Sequence, residues 1–423
     1  MKRSPLLVLC LIALVDLSSF GLIIPLLPIY AKRFDASGTL LGLLLGCFSL
    51  AQFVFAPILG RWSDRVGRRP VLLVSVAGSV GAHLLLGFGD LGSWMWLLFV
   101  ARVFDGVTGA NISTVQAYVA DITTGKERAR GMGMIGAMIG LGFVIGPALG
   151  IGLLSLGTAV VGEATGTSWP AFGAAVISSI SFFLVWRFLP EPQTHEAAPS
   201  AQPKPRLFFT NLRHVARDRR LGELLLLLST LTFCFVIFET TLVYTCMDHF
   251  ELSRNKVMGI FVYIGLLIVI VRGGMVGRLV RRLGEPSILV FAPLVSASGF
   301  LAIALAQRWP EPAIFLAACV PIALGVGLGD PVIRALLSRQ APANEQGLTM
   351  GVASGMNSLT RAAGPVIAGA LYDVNTALPY WIAAIIYVLA SGFALSIKSA
   401  QERALHTDDP SVNIGQPGQP SPE

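Results

Sequence analysis

The chain alternates long apolar runs with short polar breaks. Runs of roughly 20 apolar residues, enough at 1.5 Å per residue to cross about 30 Å of hydrocarbon, recur over nearly its whole length. They predict twelve membrane-spanning helices at about 5–30, 38–60, 71–89, 93–121, 131–156, 168–189, 221–247, 255–277, 286–306, 311–336, 347–371 and 377–398. Lys2 and Arg3 ahead of the first run resemble the start of a secretory signal. The run continues past Asp16 to Tyr30, however, and offers no small-residue cleavage site, so it reads as a retained helix.

The polar breaks predict the organisation. "PEPQTHEAAPSAQPKPRLFFTNLRHVARDRR" is Pro-rich at first and basic afterwards, as a cytoplasmic linker is. The expected plan is an N-terminal six-helix bundle over 1–190, a linker over 191–220, a C-terminal six-helix bundle over 221–398 and a disordered cytoplasmic tail over 399–423. The halves repeat at an offset of about 217 residues: "GRWSDRVG" at 60–67 lies over "GRLVRRLG" at 277–284. One residue further on, Glu127, Met132, Gly133, Gly146 and Pro147 match Glu345, Met350, Gly351, Gly364 and Pro365. The fold class that follows is all-α and integral to the membrane, two related six-helix bundles with any pathway running between them.

Composition agrees, with 54% hydrophobic and only 13% charged residues and a mean hydropathy of +0.71. The net charge of +7 would suggest nucleic acid in a soluble protein. Its distribution says otherwise. With the N-terminus in the cytoplasm, 24 of the 31 Lys and Arg fall in cytoplasmic segments, which sets both termini inside and makes the basic patches topology signals and candidate anionic-lipid contacts. The five cysteines lie in or at the ends of apolar runs with no metal-ligand spacing. "NIS" at 111–113 matches a glycosylation acceptor, yet it sits inside the fourth run, where it reads as a chance match.

"GRWSDRVGRRP" at 60–70 gathers five charges between the second and third runs. It resembles the loop signature of the major facilitator superfamily. "ALVDLSSFGLIIPLLP", "ARVFDGVTGA", "GLGFVIGPALG" and "NEQGLTMG" are similar to drug/proton antiporters, most closely the tetracycline-type efflux proteins. The resemblance implies alternating access and exchange of a proton for an exported amphipathic compound. Two departures bear on substrate: Ala82 stands where the tetracycline exporters place an acid, and Glu239 where they are neutral.

Charge at mid-membrane costs at least ~2.5–3.5 kcal/mol on insertion scales and needs a partner, a wet cavity or a function. Asp16, Arg102, Asp105 and Glu239 are the candidate proton-coupling residues. Asp16 has no basic residue within a helical turn; its plain alternative is a structural partner on another helix. Arg102 and Asp105, three apart, share a helix face and have mutual neutralisation as theirs. The resemblance marks Arg102 for proton handling. Glu239 is an acid in low dielectric, where the neutral form is favoured, or a hydrogen-bonded structural group. His83 reads as a packing residue. Gln52, Gln116, Tyr244, Asn357 and Arg361 are candidate cavity residues, and Gly142, Gly146, Pro147 and Gly150 form a small-residue stripe that the resemblance places at the bundle interface.

In the gate motif, Gly60 and Gly67 are expected to permit a tight reversal and Arg65, Arg68 and Arg69 to hold the loop inside. Topology alone does not need Asp64. An acid there can dock at the positive N-terminal end of a helix, which the resemblance makes the eleventh, near Gly347, as a latch worth about 1 kcal/mol. No phosphate-cradling loop, nucleophile or metal pattern occurs, so the reading is neither an enzyme nor an ATP-driven pump, with no cofactor and no metal. The expected partners are a small-molecule substrate, protons and the inner (plasma) membrane bilayer, with no nucleic acid and a monomeric state. A nutrient transporter and a non-transporting membrane receptor remain alternatives.

Overall fold

Among the residues described by the computed structural model, 5–109, 111–191, 208–309, 311–342 and 345–407, every regular element is a helix. In chain order these are α1 (Pro5–Arg33), α2 (Gly38–Val66), α3 (Arg68–Leu91), α4 (Met95–Thr108), α5 (Asn111–Ile122), α6 (Gly125–Val161), α7 (Glu163–Gly166), α8 (Trp169–Phe188), α9 (Phe208–Val215), α10 (Arg219–Asp248), α11 (Arg254–Ile270), α12 (Val276–Leu283), α13 (Glu285–Ala306), α14 (Pro312–Gln340), α15 (Gln346–Val374) and α16 (Leu378–Thr407). A π-turn at Val271–Met275 joins α11 to α12. Most of the linker, 192–207, and the end of the tail, 408–423, lie outside the described residues.

Among the described residues, eleven helical stretches are long and apolar enough to cross a membrane. The remaining predicted span, 347–371, eleventh in chain order, is α15, a 29-residue helix whose glycines, Ser354, Asn357, Ser358, Thr360 and Arg361 dilute its apolar content. Such a helix needs protein cover, and α2 and α10 pack along it. The predicted fourth span is split: α4 stops at Thr108 and α5 starts at Asn111. Gln52, expected in the cavity, instead donates its amide to the Gly109 carbonyl freed by the break, at 2.9 Å.

Within the first half, α1 packs on α6 and α8, α3 on α4 and α8, and α2 on α4; within the second, α13 packs on α14 and α16, and α10 on α14, α15 and α16. The small-residue stripe serves the first of these contacts. Gly142 and Gly146 themselves lie against Leu17, Ser18, Gly21 and Leu22 of α1, inside one bundle, while the helix that carries them also lines the seam to α11 of the other half. Gly150 reaches across to Met258 of α11, and Pro147 lies buried within α6. Only glycine allows backbones this close.

The halves meet along α2–α15 and α6–α11. Gly38 touches Gly369, Gly42 touches Pro365 and Gly46 touches Ala362. At the other ends of these helices, no heavy atom beyond the helix's own nearby backbone lies within 4 Å of where a side chain would begin at Gly60, Gly133, Gly136, Gly347 or Gly351. The halves are therefore shut on one face, here called distal, and apart on the face that carries α9, the linker face.

Gly60 lies inside α2, which continues to Val66, so the reversal falls on Gly67 alone. Its φ of 101° and ψ of 164° are open to glycine and strained for other residues. Gly67→Ala should lower the stability of the purified protein by about 1–3 kcal/mol, read as an earlier thermal unfolding midpoint in detergent, and more if the Glu191 carboxylate, which a side chain there would strike, fails to move aside.

Candidate functional site

A chain of buried polar groups crosses the first bundle. Asp16, halfway along α1 and 7% exposed, accepts from Asn111 Nδ2 at 2.8 Å. That nitrogen also lies 3.4 Å from Ser79 Oγ, which donates to Asp105 Oδ1 at 3.4 Å. Asp105 Oδ2 takes Arg102 Nη1 at 3.0 Å, and the guanidinium stacks over the Phe48 ring at 4.1 Å. On the far side, Ser19 Oγ donates to the Asp16 main-chain carbonyl at 2.7 Å and accepts from Ser178 Oγ at 3.1 Å, which lies 3.1 Å from His83 Nδ1. His83 is thus a hydrogen-bonded packing residue, as read from the sequence.

The group brings together Asp16, Arg102 and Asp105, with two carboxylates and one guanidinium. Asn111 and Ser79 join them and were missed. The signal for Asn111 was present: a polar residue just after Gly109 inside an apolar run marks a helix break, where a side chain must serve freed backbone or a neighbouring charge.

Glu239 of α10 is not stranded. Arg361 of α15, read from the sequence as a mid-membrane charge and a cavity residue, pairs with it at 2.9 Å. Asn357 lies one turn before Arg361 and is half-buried, and Gln116 is exposed. Tyr244 belongs elsewhere: it donates to the Ala36 carbonyl at 2.9 Å, meets the Tyr372 ring and lies under Lys32, at the distal closure and not in the cavity.

That closure is charged as well as tight. Asp373, near the end of α15, accepts from Gly38 N at 2.6 Å, Thr39 N at 2.8 Å and Thr39 Oγ1 at 2.6 Å, capping the start of α2. Lys32 pairs with Asp248 beside it. The latch expected from Asp64 thus has a counterpart at the opposite end of the same two helices. Asp64 itself pairs with Arg68 at 2.5 Å, and Arg68 also holds Asp121 at 2.7 Å. Arg65 is exposed, Arg69 donates to the Trp186 carbonyl at 2.6 Å, and the carboxylate of Glu191 accepts from the backbone of Arg68 and Arg69. In this open arrangement the start of α15 is engaged by the linker helix instead, with His214 3.2 Å from Glu345 and Phe208 between Phe53 and Gly355.

One further charged group escaped the sequence reading. Asp330 of α14 holds Arg334 at 2.9 Å and Arg272 of the π-turn at 3.2 Å. Its i, i+4 spacing to Arg334 was the available signal.

Two repeated bundles of membrane-length helices, shut on one face and open on the other around buried acids, define a secondary transporter architecture. The sequence profile of the Major Facilitator Superfamily matches residues 9–359 and again 275–417, and the chain belongs to that superfamily. Tetracycline resistance protein, class G, of Vibrio anguillarum is 31% identical over 377 residues, 88% of this chain and 91% of that protein. Multidrug resistance protein 2 of Bacillus subtilis (strain 168) is 29% identical over 399 residues, 91% of this chain and 92% of that protein. Among solved structures, a D-xylose-proton symporter superposes with a TM-score of 0.74 at 16% identity, over 92% of this chain and 96% of that one. The human organic anion transporter MFSD10 does so with a TM-score of 0.68 at 24% identity, over 93% and 99%. Both share the fold.

Proposed function

We propose that the chain is a proton-coupled antiporter of the inner membrane that exports amphipathic small molecules by alternating access. The linker face is cytoplasmic, and the bundles 1–190 and 221–398 rock against each other. The observation that carries this reading is the charge balance of the buried network. Arg102 and Asp105 neutralise each other at 3.0 Å, which leaves Asp16 with neutral donors only. A lone carboxylate in a dry interior is costly, and a proton is the smallest species that removes the charge. Asp16 therefore carries the exchangeable proton; Arg102 and Asp105 fix the field around it. Glu239, already paired with Arg361, is not called on for the proton.

A proton moving across 100 mV releases about 2.3 kcal/mol, sufficient for a substrate gradient of about 50-fold. Relatives named as tetracycline and multidrug resistance proteins support export as the direction. In cells lacking their own efflux pumps, expression should lower the accumulation of at least one compound in a panel of amphipathic antibiotics, and an uncoupler should restore it. Uncoupler-sensitive uptake would instead select a nutrient transporter, and binding without flux a receptor.

A further inference from the structure

Arg361 is less covered than Asp16, Arg102, Asp105 and Glu239. Its side chain is 38% exposed, against 18% for Glu239 and 4% for Arg102. Its direction follows from its neighbours. Ala362 meets Gly46, the last in the run of glycine contacts along the α2–α15 seam. Three residues past Arg361, Gly364 faces Phe233 and Val236 of α10; four past it, Pro365 faces Gly42 of α2. A residue one turn before both points between α2 and α10, into the opening between the halves. Leu359, Ala363 and Ile367, on another face of α15, border a separate groove of about 400 Å³ against α10 and α16. At the depth of the seam's inner end, two residues past Gly46, Phe48 meets Phe20 at 5.5 Å, and Phe20 meets Phe143 edge-on at 6.1 Å.

The export reading supplies the setting, and this inference rests on it for the physiological role of the site. We propose that Arg361 selects the substrate: it takes the acceptor-rich edge of an aromatic amphiphile, a carboxylate, enolate or pair of carbonyls, and rejects permanent organic cations. A guanidinium offers five N–H donors and no acceptor. One of them is spent on Glu239 Oε2 at 2.9 Å. The remainder face the opening and match a planar, acceptor-rich group. Glu239 offsets the positive charge, so neutral acceptor-rich compounds are admitted along with anions. A permanent cation would have to displace Arg361 from Glu239, leaving a guanidinium without a counter-charge in low dielectric. The aromatic cluster of the first bundle supplies the surface for the ring body.

The test measures binding to the full-length purified protein by equilibrium dialysis, with nalidixate as the aromatic carboxylate and ethidium as the permanent cation. The wild type should bind nalidixate at least about 10-fold more tightly than ethidium. Arg361→Gln should weaken nalidixate binding about 10-fold or more and erase the preference. Because that variant leaves Glu239 unpaired, the double variant Arg361→Gln/Glu239→Gln, with no stranded charge, must show the same loss; Arg361→Lys, which keeps the charge without the fork, should recover part of it. Equal binding of the two probes by the wild type, no binding of nalidixate, or full nalidixate binding by the double variant overturns the assignment. Binding is read without flux, so Arg361-dependent binding by a protein that moves neither probe in liposomes overturns export and leaves the site. Proton-driven flux of both probes, indifferent to Arg361, does the reverse.

Discussion

Asp16→Asn should abolish proton-driven accumulation in reconstituted vesicles, from about 50-fold at 100 mV towards no gradient, while the protein still folds. The amide nearly matches the carboxyl in shape and can still face Asn111, so the network is kept and only the exchangeable proton is lost. Downhill exchange of substrate across the vesicle should survive, which separates lost coupling from lost protein. Asp105→Asn makes the informative contrast. It leaves the Arg102 guanidinium buried without its carboxylate, and breaking a buried pair from one side costs about 3–5 kcal/mol. That variant should show poor folding, seen as reduced yield of monodisperse protein, where Asp16→Asn shows normal yield and no pumping. Retained pumping by Asp16→Asn would remove Asp16 from the mechanism.

The different fates of these two acids show what a one-dimensional reading reaches. Apolar length gave the helices, because crossing hydrocarbon requires about 20 residues whatever the neighbours are. It marks α15 least clearly, since a helix covered by others need not be apolar all round. Arg102 and Asp105 were legible as a pair because i, i+3 residues share a face. Asp16–Asn111 and Glu239–Arg361 were not, for their partners are separated by 95 and 122 residues. No periodicity encodes which helix faces which.

The partners of two glycines were out of reach for a related reason. Gly142 and Gly146 announce a close helix contact, but small size does not name the partner, which is α1. Gly60 and Gly67 look alike in sequence. Only backbone angles distinguish the one that turns the chain from the one inside a helix.

A side chain at the distal seam should act on the conformational equilibrium directly. Gly369→Val would drive its Cβ into the backbone of Gly38, in the only one of the two expected conformations where those helices touch. Overpacking of this kind costs about 1–3 kcal/mol, and because the cost falls on the distally closed form alone, it should move the population 5- to 150-fold towards the distally open one. Asp373→Asn should act in the same direction and more weakly, since it removes the charge from a helix cap worth about 1 kcal/mol. The protein carries its own reporter. Cys10, Cys234, Cys246 and Cys319 are buried, while Cys47 is half-covered and follows Gly46 at the inner end of the seam. A membrane-impermeant maleimide should reach Cys47 of the wild type from the linker face and that of Gly369→Val from the distal face, with no labelling of Cys47→Ser from either. If Gly369→Val leaves the sidedness of labelling as it is in the wild type, the seam is packing and not a gate.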